Sequence, residues 1–243
     1  VLRTLYAWTI GAVTTLFWST LGIVTWPFSP RGDLYLVYAR IWSRGILASL
    51  GIPITVEGGG SLDRERTYLF MSNHESTAFD IFALFVAIDH GFRMIAKKSL
   101  FFIPILGWSL AMCGFIPIDR SNRGSAIRSL RKAANRMREG VSLLVFPEGT
   151  RGPGGGELLP FKKGAFHLAL QAGVPIVPVV VIGTDTIMTK GSIRVGHGKI
   201  RVRIGEPIEL EGRDVGREEL MAEVRAAMVK LRAGAVAGAA VGT

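Results

Sequence analysis

The sequence predicts an α/β protein whose mixed, largely parallel sheet is flanked by helices and preceded by a membrane-associated helical hairpin. Three observations carry this. From Ile54 onward, short runs rich in β-branched and aromatic residues alternate with segments of helical period, the pattern of a layered α/β fold. Before that point, residues 1–26 hold a single charge, Arg3. The chain of 243 residues, 49% of them apolar, is long enough for one sizeable core.

The first stretch, VLRTLYAWTIGAVTTLFWSTLGIVTW, is helical by composition. Leu5–Trp26 as a helix is roughly 33 Å long, about the thickness of bilayer hydrocarbon. Four of the five tryptophans, Trp8, Trp18, Trp26 and Trp42, fall in this end of the chain, which suits a membrane interface. The apolar run is too long for a signal peptide, and no small-residue cleavage site follows it. WPFSPRGD (26–33) breaks the helix with two prolines and a glycine. A second apolar helix follows, LYLVYARIWSRGILASL, with Arg40 and Arg44 on one side. Residues 1–50 therefore read as a hairpin that either spans the bilayer once or lies in one leaflet with its arginines at headgroup level.

The α/β part is expected over residues 51–233. TYLFMS (67–72), FRMIA (92–96), CGFIPI (113–118), VSLLVFP (141–147) and PIVPVVVIG (175–183) read as strands. Pro175 and Pro178 place the last of these at an edge or bulge. IRVGHGKIRVRIG (193–205) reads as a further strand pair or a bent strand. The intervening helices are DIFALFVAI (80–88), SAIRSLRKAANRMREG (125–140), FHLALQAG (166–173) and the terminal EELMAEVRAAMVKLR (218–232). The 125–140 helix carries Ile127, Leu130, Ala134 and Met137 on one stripe, with Arg128, Arg131, Lys132, Arg136 and Arg138 around the remainder. Gly140 stands where it should stop. Residues 234–243 lack anchoring side chains and read as a flexible tail.

Net charge is +10, so a basic face needs an anionic partner: nucleic acid, a phospholipid headgroup or a phosphorylated substrate. One cysteine, Cys113, excludes an intrachain disulfide and, in an apolar stretch, reads as a small core residue. The four histidines show no metal-ligand spacing, so neither a metal nor a cofactor is expected.

Chemistry concentrates in three blocks. In SNHESTAFD (72–80), His74 follows a strand and precedes a helix, the end of an α/β sheet where sites form. A neutral histidine there takes a proton from a hydroxyl, and a carboxylate on its other ring nitrogen fixes the tautomer. Asp80 is the nearest aspartate; Glu75 is too close in sequence to turn back easily, though it or another carboxylate remains an alternative. In IPIDR (116–120), Arg120 closes a strand and offers a planar fork for phosphate, or simply a surface pair with Asp119. In VFPEGTRGPGGGELLPFKKG (145–164), Gly149 allows close backbone approach, exposed amides suit anionic oxygens, and Arg151 adds charge. Glu148 there either accepts from a substrate hydroxyl or orients an arginine. GPGGG reads as a flexible loop at the entrance, and no Walker-type loop is present.

Together NHESTAFD, GFIPIDR, FPEGTR with PFKKGAFHLA behind it, and VPIVPV resemble the four ordered blocks of the glycerolipid acyltransferase family, its bacterial 1-acyl-glycerol-3-phosphate acyltransferases above all. The resemblance spans roughly residues 70–180. It implies transfer of a fatty acyl group from acyl-CoA or acyl carrier protein to the sn-2 hydroxyl of lysophosphatidic acid, giving phosphatidic acid. The setting it implies is the cytoplasmic face of a cell inner membrane, on an anionic surface, with no nucleic acid as partner. It further implies His74 as general base with Asp80 its partner, and Arg120, Glu148, Gly149, Thr150 and Arg151 as binders of the glycerol phosphate. A different acceptor, such as glycerol 3-phosphate, another lysophospholipid or an amino-acid lipid, fits the same blocks less specifically. A non-catalytic basic protein binding membrane or nucleic acid is the alternative of another class.

The family places four residues between His and Asp, and this chain has five. Six positions along a regular helix is about 240° of rotation, so the pair must meet across a turn, with the extra residue taken up as a bulge.

Overall fold

The computed structural model describes residues 1–76, 78–152 and 156–239. Two helices open the chain, α1 (Leu2–Thr25) and α2 (Asp33–Ser49), joined by a short 3-10 turn at Trp26–Phe28. They pack side by side: the indole of Trp42 donates to Thr14 Oγ1 at 3.0 Å, and the Trp18 and Tyr38 rings meet at 5.7 Å. α1 is the one described helix long and apolar enough to cross a membrane, and little of it is buried.

The remainder alternates strand and helix: β1 (Ile54–Gly58), β2 (Leu69–Ser72), α3 (Phe79–Ala87), β3 (Arg93–Lys97), α4 (Leu106–Met112), β4 (Ile116–Ile118), α5 (Arg123–Arg138), β5 (Leu143–Val145), α6 (Lys163–Ala172), β6 (Ile176–Ile182), α7 (Thr184–Ile187), β7 (Ile200–Ile204) and α8 (Arg217–Ala239). The described strands form one seven-stranded sheet in the order β1-β7-β6-β2-β5-β3-β4. Every neighbouring pair is parallel except β6 with β7, as helical crossovers between strands require.

Strand alternation divides the core into two layers. Phe70, Leu144, Val177 and Val179 face α2, α3 and α4, whereas Leu69, Met71, Leu143 and Val180 face α5, α6 and α8. Leu69, Phe70 and Leu143 are fully buried. Burying each such side chain contributes roughly 1.5–3 kcal/mol, which makes the centre of the sheet the stiff base on which the site stands. Asn122 caps α5 by accepting from the Ser125 amide at 2.9 Å, and Gly140, at φ +90°, follows its end.

Three expectations need correction. The proline-bearing strand is not at an edge: β6 lies between β7 and β2. Ile176 exchanges both backbone hydrogen bonds with Ile208, and the Gly205 amide donates to Pro178 O at 2.8 Å. Even-numbered backbone groups of β6 thus face the β7 side. The register sets Pro178 opposite Gly205, just past the end of β7, so the pair keeps one of its two bonds and proline costs the sheet a single hydrogen bond at the last rung. Secondly, residues 193–205 hold a single short strand, β7 (Ile200–Ile204), and residues 192–199 before it have no regular structure, in keeping with their glycines. Thirdly, Ile127 is exposed rather than part of the buried stripe of α5, which consists of Leu130, Ala133, Ala134 and Met137. Ser129 Oγ donates to Pro117 O at 2.8 Å, and Ile127, two residues earlier, points about 200° away round the helix from that contact.

Candidate active site

The site gathers at the carboxyl ends of β6, β2 and β5, which run parallel side by side, and reaches toward β4. After β2 the chain turns through Asn73, His74, Glu75 and Ser76 before entering α3. Asn73 serves as one more rung of the ladder. Its side-chain Nδ2 donates to Val181 O at 2.8 Å, and its Oδ1 accepts from the Val181 amide at 2.7 Å. The turn is thereby fastened to β6 immediately before the histidine.

His74 is held by backbone and ring alike. Its amide donates to Glu148 Oε1 at 3.1 Å, and its carbonyl accepts from the Gly152 amide at 2.8 Å, so the loop after β5 grips the peptide on both sides. Its ring stacks on Phe146 with centroids 4.1 Å apart and planes 16° from parallel. Nδ1 lies 2.7 Å from Asp80 Oδ2. Nε2 makes no hydrogen bond among the described residues and is the nitrogen left for a ligand.

Asp80 enters from the first turn of α3, where a carboxylate is favoured by the helix dipole, and it is fully buried. Its Oδ2 also accepts from the Ser76 amide at 2.8 Å, and its Oδ1 accepts from the Thr184 hydroxyl. A buried carboxylate so fully engaged stays in one rotamer and presents one oxygen to the imidazole. The pair meets across the turn that leads into α3, which begins at Phe79. Thr77, where a bulge would fall, is outside the described residues.

Glu75 does not take the place of Asp80. It points away from the imidazole: Oε2 accepts from the Gly183 amide at 3.2 Å, and Oε1 faces Arg232 Nη2 at 2.8 Å. Burial pushes its carboxyl up to about 7, against the pull of the Arg232 charge.

The loop after β5 turns at Gly149, whose φ of +68° suits glycine alone. Glu148 is buried and uses both oxygens on backbone, Oε1 on the His74 amide and Oε2 on the Leu159 amide at 3.1 Å. Burial raises its pKa, while those amides pull the other way. The carboxylate expected to meet a substrate hydroxyl or an arginine thus fastens the loop to the histidine turn. Arg120, at the end of β4, donates to Gly149 O and brings its guanidinium over the same loop. Thr150 is exposed, Arg151 is half-buried, and the carbonyl of Arg151 accepts from Lys190 Nζ at 2.9 Å. Lys98 approaches Asp119 at 3.8 Å, adding a cation to this rim. The glycine-rich stretch read as an entrance loop lies largely outside the described residues, at 153–155.

Three contributors escaped sequence reasoning. Asn73 and Phe146 lie inside the quoted blocks NHESTAFD and VFPEGTRGPGGGELLPFKKG, and Thr184 lies just beyond β6, but their roles depend on contacts that only the sheet order creates. The faint signal for Thr184 was a polar residue directly after the glycine that ends β6.

Comparison with known proteins places these elements. Residues 53–182 match the acyltransferase family. A 1-acyl-sn-glycerol-3-phosphate acyltransferase from Cocos nucifera is 37% identical over 204 residues, covering 82% of this chain and 64% of that one. A chloroplastic 1-acyl-sn-glycerol-3-phosphate acyltransferase from Arabidopsis thaliana is 33% identical over 233 residues, covering 93% of this chain and 65% of its own length. The chain thus spans just under two thirds of these plant relatives. The crystal structure of a 1-acyl-sn-glycerophosphate acyltransferase from Thermotoga maritima superimposes with a TM-score of 0.83 at 28% identity, covering 95% of this chain and 94% of that one.

Proposed function

The chain belongs to the acyltransferase family, and from that premise we propose that it moves a fatty acyl group from acyl-CoA or acyl carrier protein to the sn-2 hydroxyl of lysophosphatidic acid, forming phosphatidic acid. The observation that carries the proposal is the 2.7 Å contact between His74 Nδ1 and Asp80 Oδ2, with Nε2 left open at the carboxyl end of the sheet.

The chemistry follows from that geometry. Asp80 holds the proton on Nδ1, so Nε2 is the basic nitrogen. As the acceptor oxygen attacks the thioester carbonyl, its proton passes to Nε2, and Asp80 stabilises the imidazolium. The tetrahedral intermediate collapses with cleavage of the carbon–sulfur bond, and the departing thiolate takes the proton back from Nε2. No acyl-enzyme is formed. Arg120 and Arg151, with the exposed backbone near Gly149 and Thr150, form the rim for the phosphate, a role that suits a guanidinium fork. Glu148 acts by holding the loop in place.

We take residues 1–50 as the membrane unit, a two-helix hairpin, and 51–233 as the acyltransferase domain. Both ends of α1 are tied to that domain. Arg3 donates to Gly196 O at 2.8 Å and Leu50 O at 2.7 Å, while Trp26 at the far end donates to Met112 O at 3.0 Å. A helix fastened at both ends lies along the domain, which favours entry into one leaflet over crossing. Its outer face, with Leu5, Trp8, Leu16, Phe17 and Val24 exposed, then meets lipid beside the site where both acyl tails must arrive. We further take it as a bacterial enzyme on the cytoplasmic face of the inner membrane; the match to the Thermotoga chain bears on the first part of that reading alone.

The test is acyl transfer by the full chain in mixed micelles, with a panel of acceptors and one acyl-CoA donor. Lysophosphatidate is expected to be preferred, and His74→Ala to remove transfer while the circular dichroism spectrum is unchanged. Preference for glycerol 3-phosphate or another lysolipid would reassign the acceptor, and retained activity in the variant would remove His74 as the base.

A further inference from the structure

We propose that Arg232, on the last helix, is a positioning residue for the His74–Asp80 pair, acting through Glu75 and the turn at Gly183–Thr184; the proposal rests on the acyl-transfer reading above.

The relay is continuous. Arg232 Nη2 lies 2.8 Å from Glu75 Oε1, and Glu75 Oε2 accepts from the Gly183 amide at 3.2 Å. Gly183, at φ +90°, turns the chain from β6 into α7, whose first residue Thr184 donates its hydroxyl to Asp80 Oδ1. Asp80 Oδ2 then holds His74 Nδ1. Glu75 and Thr184 therefore bracket the dyad from its chain neighbour on one side and from its carboxylate on the other.

The arrangement needs a cation at this place. Glu75 is 5% exposed, and the nearby charges on α3 and α7, Asp80 and Asp185, are both acidic. Its Oε1 makes no hydrogen bond among the described residues, so the guanidinium is what offsets that oxygen. Without it, a buried carboxylate faces two like charges and must neutralise or swing away, and either change loosens its grip on Gly183.

Arg232 is not needed to dock its own helix. Leu220, Val224 and Met228 bury α8 against the sheet, and Arg225 donates to Leu158 O and Leu159 O at 2.9 and 3.0 Å. Gly156 leaves room for the guanidinium: a β-carbon there would meet Arg232 Nη2 at 2.2 Å.

The experiment compares wild type, Arg232→Met, Arg232→Lys and Glu75→Gln/Arg232→Met in two assays. One is steady-state acyl transfer to lysophosphatidate; the other is the Nδ1 proton resonance of His74 in the substrate-free protein. Arg232→Met is expected to lower kcat about tenfold, the size of a coupling within one hydrogen-bonded network, with KM changed less than about twofold. The resonance should shift or vanish in Arg232→Met. Arg232→Lys should recover both to within about threefold, and the double variant should be no slower than Arg232→Met alone. An unchanged resonance and kcat in Arg232→Met, or a loss confined to KM, overturns the proposal. If Arg232→Met does not fold, Arg232→Gln takes its place and is judged by the same outcomes. Should the wild-type chain leave lysophosphatidate unacylated, the activity reading fails, and the resonance still decides the role of Arg232.

Discussion

The dyad corner and the basic rim stand on neighbouring strand ends yet are built in opposite ways. Asp80 is fully buried with His74, Ser76 and Thr184 around it, and the His74 peptide is gripped by Glu148 and Gly152. On the rim, Arg120 and Thr150 are exposed, and Arg120 rests on a single carbonyl. The corner is organised before substrate arrives, as proton transfer within a few tenths of an ångström requires. On the proposed function, the exposed rim meets the phosphate of the arriving substrate. Changes at the corner should therefore act on kcat, and changes at the rim on KM.

The largest departure expected is at the corner. Asp80→Ala should lower kcat about a thousandfold, within the range for general acid–base catalysis, with KM for lysophosphatidate little altered. Steady-state kinetics over both substrates checks this, and a loss expressed in KM would merge the two regions. Next comes the rim. Arg120→Ala and Arg151→Ala should each raise KM for lysophosphatidate about tenfold to a hundredfold, the loss of one charge-assisted contact, while kcat holds within about threefold. Phosphate-free acceptors should not register either substitution.

Thr184→Val should be milder, lowering kcat about tenfold, since it removes one neutral donor from Asp80 and leaves His74 and Ser76 in place. This residue marks the limit of what the sequence disclosed. His74 and Asp80 were legible because they share one short block, and Arg120 and Gly149 because each closes a strand with an unmistakable motif. The contact of Asp80 with Thr184, and that of Glu75 with Arg232, join residues more than a hundred positions apart and exist only through the strand order. The fold was legible where strands were apolar on both faces, as in β2, β5 and β6. It was obscured in β1, whose residues after Ile54 are all exposed, and in β6, where proline argued for an edge although it costs only one bond at the last rung with β7.

The last effect falls on stability and its pH dependence, not on turnover. Glu75 titrates near 7 in the fold, against an ordinary value of 4.5, because it is buried. The folded state then binds the proton more tightly than the unfolded one. Its contribution is complete below about pH 4.5 and is lost as pH rises through 7. Glu75→Gln removes that loss, so melting curves of the variant and wild type should diverge in favour of glutamine between pH 5 and 8, by up to about 3 kcal/mol. A constant difference across that range would show that Glu75 does not titrate there.

The claim that His74 and Asp80 work as one unit is tested most directly by kcat for His74→Ala, Asp80→Asn and the double variant, each verified as folded. Residues acting as a unit are not additive, so the double variant should lose no more than His74→Ala alone. Losses that multiply in the double variant would contradict the dyad and return Asp80 to a structural role.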